Sequence, residues 1–239
     1  GVPVNDMEWG GVYWSNWAGL SDVTRSMQTQ RGMGASKISS PSVGGTINIV
    51  TNTIDAKRGG SVSYGIGNDG ANTMSVSLST GLMDNGWAMS VLLAKRWGDG
   101  YIQGTGYTGY NWFVNVSKRI NSKHQLSLTA FGAPQKHNQR KPLYAGLSIE
   151  EWDKVAKWTG EDNKYRYNAI YGFDNNGKER SSMVNEYHKP QISLNHQWQI
   201  DRKSSLSTAL YMSIGRGSGY SGQGRTSADR AMWNGSSNG

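Results

Sequence analysis

The chain has 239 residues, a formal net charge of +8, 36% hydrophobic residues and a mean hydropathy of −0.63. No run approaches the roughly 20 consecutive apolar residues of a transmembrane helix, so helical membrane spans are excluded. With no cysteine, disulfide scaffolds and thiolate metal sites are excluded as well.

A transmembrane β-barrel is not excluded, because its strands are apolar only on alternate residues. The 32 glycines, 10 tryptophans and 12 tyrosines suit a protein of many strands and turns. The lysines and arginines are scattered and no nucleic-acid motif accompanies them, so the positive charge reads as solvated surface. The chain starts at Gly1 with no signal peptide, as expected of a piece of a larger protein.

Residues 1–55 read as a small α/β unit. VPVND predicts a short strand and a turn, Leu20–Met27 a helix capped by Ser21, and GGTINIVTNT (Gly44–Thr53) a β-branched strand introduced by two glycines.

From about Ser61 the pattern changes to period two. Met74, Val76 and Leu78 alternate with Ser75, Ser77 and Ser79, and Leu206, Leu210, Met212 and Ile214 alternate with small or polar neighbours. Successive strand side chains face opposite ways, so one face is apolar and the other small and polar. Seven strands are predicted, at about 61–67, 72–82, 86–97, 109–120, 124–133, 190–200 and 204–215. The polar face is rich in Ser, Gly, Asn and Gln, which suits a wet lumen better than the charged outer face of a soluble sheet.

Trp87 and Trp97 share a register ten steps apart. At ~3.3 Å per step and ~40° tilt, they span roughly the 25 Å between the aromatic girdles of a membrane barrel. Tight turns at Asp84–Gly86, Asn121–Lys123 and Asp201–Lys203 alternate with longer connections, as short periplasmic turns alternate with external loops. The longest connection, 134–189, contains a predicted helix, SIEEWDKVAKW, with Ser148 as N-cap and Glu151 three residues on. Pro134 and Pro190 are placed at strand ends. The fold class expected is therefore an all-β transmembrane antiparallel β-barrel.

The segment RGMGASKISSPSVGGTINIVTNT, Arg31 to Thr53, resembles the end of the plug domain in TonB-dependent outer-membrane receptors. The matching features are Arg31–Gly32, Gly34–Ser36, Val43–Gly45 and Ile47–Thr51, with Gly44 inside the glycine pair. GVPVND and FGAPQKHNQR (Phe131–Arg140) look like further pieces of such receptors. The resemblance implies the C-terminal part of a plug over 1–55 and the first strands of a 22-stranded barrel over 56–239. The first half of the plug and the TonB box are expected to lie outside this sequence.

By resemblance, the function is active import of a scarce nutrient across the outer membrane of a Gram-negative bacterium: a ferric siderophore, haem, cobalamin, a glycan or a peptide. The implied partners are TonB and its inner-membrane energising complex, outer-membrane lipid and lipopolysaccharide, and a surface lipoprotein in some members. No cofactor is implied. The rival reading is a non-transporting barrel that serves as a structural or adhesive subunit.

The histidines are dispersed without metal-ligand spacing, and no catalytic constellation stands out, so no enzyme is expected. The expected ligand contacts are Trp9, Tyr13, Trp14 and Trp17 in an aromatic-rich N-terminal stretch, with His137 and Tyr144 from the long external loop. Packing of the N-terminal rings against the barrel is the competing account. Arg96 and Arg119 fall in the inward register and are expected to pair with plug acids or to face water.

Overall fold

The computed structural model describes residues 2–6, 8, 10–32, 44–51, 54–140, 147–160 and 163–221, with the side chains of Tyr220 and Ser221 left aside.

The period-two pattern produces a single antiparallel meander. The strands β3 (Gly59–Ile66), β4 (Asn72–Ser79), β5 (Trp87–Gly98), β6 (Tyr107–Arg119) and β7 (His124–Gly132) pair in sequence order. The meander then continues through β12 (Gln191–Gln199) to β13 (Ser205–Ser213). These are the seven expected strands, with ends shifted by a few residues. The three tight turns close as expected of Asx residues, whose side chains mimic a backbone turn. Asn85, Asn121 and Asp201 accept from the backbone N–H two residues on, at 3.2, 2.8 and 2.7 Å. The sheet is open, with β3 and β13 at its edges.

The two faces are inverted relative to a soluble sheet. Leu93, Leu128, Ile192 and Leu210 are exposed, whereas Asn115, Ser117, Ser127, Thr129 and Ser193 on the opposite face are buried. The buried polar groups satisfy one another. The Asn115 amide donates to Ser127 Oγ and Thr129 Oγ1, both at 2.9 Å, and Ser117 Oγ donates to Asn115 Oδ1 at 2.8 Å. Such an arrangement is stable when the apolar face meets lipid.

The long connection corrects one expectation. Inside it lie β8 (Gln135–Asn138) and β11 (Met183–His188), and β14 (Arg216–Ser221) follows β13. Each is the in-line continuation of a wall strand. The pairings Trp112↔Gly132 and Gly109↔Gln135 keep one register, as do Gln191↔Phe131 with Tyr187↔Gln135, and Gln191↔Ser213 with His188↔Arg216. Pro134 and Pro190 therefore sit inside ladders that run past them. Each lacks an N–H and so interrupts the bonding at one rung without redirecting the chain. The excursion proper is 139–182.

That excursion carries α1 (Ile149–Thr159) and the small hairpin of β9 (Tyr171–Phe173) and β10 (Glu179–Ser181). The predicted capping box is present: Ser148 Oγ accepts from the Glu151 N–H at 3.3 Å, and the Glu151 carboxylate accepts from the Ser148 N–H at 2.7 Å. Arg166 pairs with Asp69 at 3.0 Å, and the buried Asn168 amide donates to the Gln103 carbonyl at 2.9 Å. Three external connections are thus tied together.

The N-terminal segment departs from expectation in two places. VPVND forms no strand among the described residues; it leads into a turn closed by Gly10 N–H to the Asp6 carbonyl at 3.0 Å. Leu20–Met27 is not a helix. A 3-10 turn over Leu20–Val23 gives way to strand β1 (Thr24–Arg31), which pairs with β2 (Gly45–Thr51). Eight residues carry too little periodicity to separate helix from strand, and the partner strand decides. At the hairpin's end Arg31 lies opposite Gly45, and Gly32 N–H donates to the Gly44 carbonyl at 3.2 Å. Gly45 has φ +129°, and a Cβ there would collide with the Gln30 carbonyl.

Candidate ligand site

The N-terminal segment docks on the inner face of β5, β6 and β7. Two 3-10 turns, Trp14–Trp17 and Leu20–Val23, make the contact. Val23 is buried against Leu92, Ala94 and Phe113, with Leu20 and Phe131 beside them. The Trp17 ring lies 5.6 Å from Phe131 and is buried. These inward apolar residues are exceptions to the polar inner face, and each lies beneath the docked turns.

Polar contacts fix the register of docking. Gly19 is left-handed, with φ +84°, and a Cβ there would strike the Asn111 side chain. The Asn111 amide, oriented to satisfy both groups, donates to the carbonyls of Ala18 and Tyr110. Gln135 Nε2 donates to the Ser15 carbonyl. Arg96 Nη2 pairs with Asp22 Oδ2 at 2.7 Å, as the inward register of Arg96 predicts.

Beside this junction is a cavity of about 220 Å³, lined by Ala18, Arg96, Tyr107, Asn111, Gln135 and His137 among others. It offers one guanidinium, amides, a phenol and an imidazole. Burial pushes the His137 pKa below its ordinary value of 6.5, so the ring is neutral at pH 7. His137 meets Tyr187 edge-on at 6.0 Å. The buried Tyr187 hydroxyl and Trp17 Nε1 have no hydrogen-bond partner among the described residues. A concave site with a cation and several convergent polar groups suits a polar, anionic ligand.

Of the residues expected to contact ligand, His137 lines this cavity, whereas Trp17, next in sequence to the lining residue Ala18, packs on Phe131 of the wall. Tyr13 and Trp14, at the start of the same turn, are 46% and 53% exposed. Trp9 and Tyr144 fall outside the described residues. Arg31, Gly32, Gly44 and Gly45 come together at the hairpin end, and Gly34 is outside the described residues. Tyr107, Gln135 and Tyr187 escaped the sequence reading. Their signal, an inward register, becomes visible only once the strands are seen to run past Pro134 and Pro190. Arg119 lines a separate open cleft with Lys57, Arg58 and Asp84.

His188 and His196 face outward. Trp112 Nε1 donates to His188 Nε2 at 3.3 Å, and His196 stacks on His124 at 5.3 Å. Among the described residues no group of three or more His, Asp or Glu could hold a metal.

No family model matches the chain, and no curated protein matches it. Solved structures do. The ferric-catecholate import receptor Fiu of E. coli K12 aligns with TM-score 0.60 and 14% identity over 82% of this chain. The siderophore receptor PiuA of Acinetobacter baumannii aligns with TM-score 0.61 and 13% identity, also over 82%. The chain shares the fold of these two receptors. The chain spans 29% and 27% of the lengths of those two receptors. Both relatives are transport receptors, not enzymes.

Proposed function

We propose that this chain is the C-terminal part of the plug, residues 1–55, and the first barrel strands, residues 56–239, of a TonB-dependent importer in a Gram-negative outer membrane. The observation that carries the reading is the inverted sheet with the N-terminal segment docked on its polar face. A lipid-facing apolar surface and a segment lodged inside are what a plugged barrel requires.

The substrate class favoured is a ferric siderophore. Arg96 supplies a cation within a polar cavity, which suits an anionic chelate, and the two structural relatives are named for siderophore or ferric-catecholate import. Tyr13, Trp14 and His137 are the proposed ligand contacts, with Trp9 and Tyr144 joining them and Trp17 anchoring the turn. TonB and the inner-membrane complex would supply the force that moves the plug. Lipopolysaccharide and phospholipid would surround the wall, and a surface lipoprotein is a further candidate partner.

The test is uptake in a deletion strain complemented with the full-length gene. Labelled ferric siderophores, haem, cobalamin and oligosaccharides are offered with and without a protonophore. Uptake of a ferric chelate that needs both the gene and the proton gradient supports the reading. Uptake of another nutrient corrects the substrate. No gene-dependent uptake across the panel would sink the importer reading in favour of a structural or adhesive barrel.

A further inference from the structure

Arg96 does two jobs that cannot both be done at full strength. Its guanidinium lines the cavity, and its Nη2 is already engaged by Asp22 at 2.7 Å. Asp22 sits in the Leu20–Val23 turn, whose apolar side chains hold the N-terminal segment to the wall at Leu92, Ala94, Phe113 and Phe131. The pair is partly exposed, 36% and 29% for the two side chains, so a solute in the cavity can reach it.

Resting on the siderophore-receptor reading, we propose that an anionic ligand competes with Asp22 for Arg96, so that binding loosens the plug turn from the barrel wall. Asp22 holds the guanidinium through Nη2 alone, so an anion seated bidentate on the cavity-facing edge takes the N–H that Asp22 uses. A bound anion at Arg96 leaves Asp22 facing either a second negative charge or solvent. The apolar contacts of Leu20 and Val23 then hold the turn alone. Site occupancy and plug attachment become linked through one side chain, and the linkage is reciprocal: whatever weakens the Asp22 contact strengthens anion binding. A neutral ligand of the same size makes no such exchange, so the device also discriminates by charge.

The reciprocity gives the test its sign. Full-length receptor in detergent is titrated with ferric tris-catecholate, a trianion, and with a neutral ferric tris-hydroxamate of similar size. Asp22→Asn is expected to tighten the tris-catecholate by about three- to fivefold, the scale of a half-exposed ion pair, and to leave the hydroxamate unchanged. Arg96→Gln is expected to weaken the tris-catecholate selectively, and Arg96→Lys to restore part of the loss. Hydrogen exchange at the amides of residues 14–23 is expected to quicken when tris-catecholate binds the wild type. If Asp22 were only a structural tether, Asp22→Asn would weaken both chelates alike or change neither, and exchange would not respond to charge. Either result overturns the competition while leaving the receptor reading intact. If neither chelate binds the wild type, the siderophore reading itself fails, and the competition fails with it.

Discussion

Trp17 of the docked turn and Phe131 of the wall face each other with ring centroids 5.6 Å apart and planes tilted by 56°. Each ring is out of place by ordinary pattern rules: one is an aromatic in a glycine-rich loop, the other a phenylalanine on the polar inner face. Together they form the rim of the contact between segment and wall. A double-mutant cycle of Trp17→Ala and Phe131→Ala is expected to show a coupling of about 0.5–1.5 kcal/mol, the range of aromatic pairs. Urea unfolding of the N-terminal segment, followed by tryptophan emission, would measure it. Additive losses would place the two rings in separate environments.

Gly19 lies so close to the sheet that a side chain there would collide with Asn111. Its φ of +84° and the nearby Asn111 amide leave no room for a side chain. Gly19→Ala is expected to cost about 1–2 kcal/mol from the left-handed backbone alone, with an added penalty as Asn111 is pushed off the Ala18 carbonyl. Gly11→Ala, where nothing lies within 4 Å and φ is not left-handed, is the control and should change little. Thermal unfolding of both variants decides between local strain and a general intolerance of the segment.

Asn115 is the hub of the buried polar ladder. Asn115→Leu takes the amide partner from Thr129 and leaves Ser117 and Ser127 only each other at 2.9 Å, and a buried polar group left unpaired costs about 1–3 kcal/mol. Refolding yield into lipid vesicles and the urea midpoint should both fall. Asn115→Ser, which keeps a donor and an acceptor, should recover part of the loss.

The His137 pKa is lowered by burial, so the folded state disfavours the charged ring. The unfolded chain binds the proton more readily. Stability associated with His137 is therefore fully present above pH 6.5 and is lost as pH falls through the depressed folded value. Two-dimensional NMR of specifically labelled histidine should show a His137 midpoint below that of an unfolded reference peptide. His137→Gln should flatten the corresponding part of the stability profile. A midpoint at or above 6.5 would contradict a half-buried ring.

The wall was legible because each strand repeats one simple instruction. Met74, Val76 and Leu78 alternate with serines over enough residues that no helix fits them, and Trp87 and Trp97 lie near the two ends of one strand in one register. The helix at Ile149–Thr159 was equally legible, since Ser148 and Glu151 write its start. The N-terminal unit was harder. Thr24–Arg31 lacks strong alternation, and its strand exists because Gly45–Thr51 pairs with it from beyond a long connection. Proline misled in one respect. Pro134 and Pro190 were placed as strand ends, but a proline whose missing N–H falls at a single rung interrupts bonding without ending the ladder. The ligand cavity was half visible. The inward register exposed Arg96, whereas Asp22 became its partner only through the three-dimensional approach of a turn far away in sequence.

The strands that continue past Pro134, Pro190 and Gly215 carry the sheet's hydrogen-bonded ladders on toward the 139–182 excursion. From Met183 to Gln199 the chain runs in one direction, and at ~3.3 Å per residue with ~40° tilt this rises roughly 40 Å, beyond the apolar band of about 25 Å. The excursion over 139–182 is thus mounted on a braced mast. Substitutions or insertions at its tip can vary freely while the continuous ladders beneath keep the inward side chains of Tyr107, Gln135 and His137 in place.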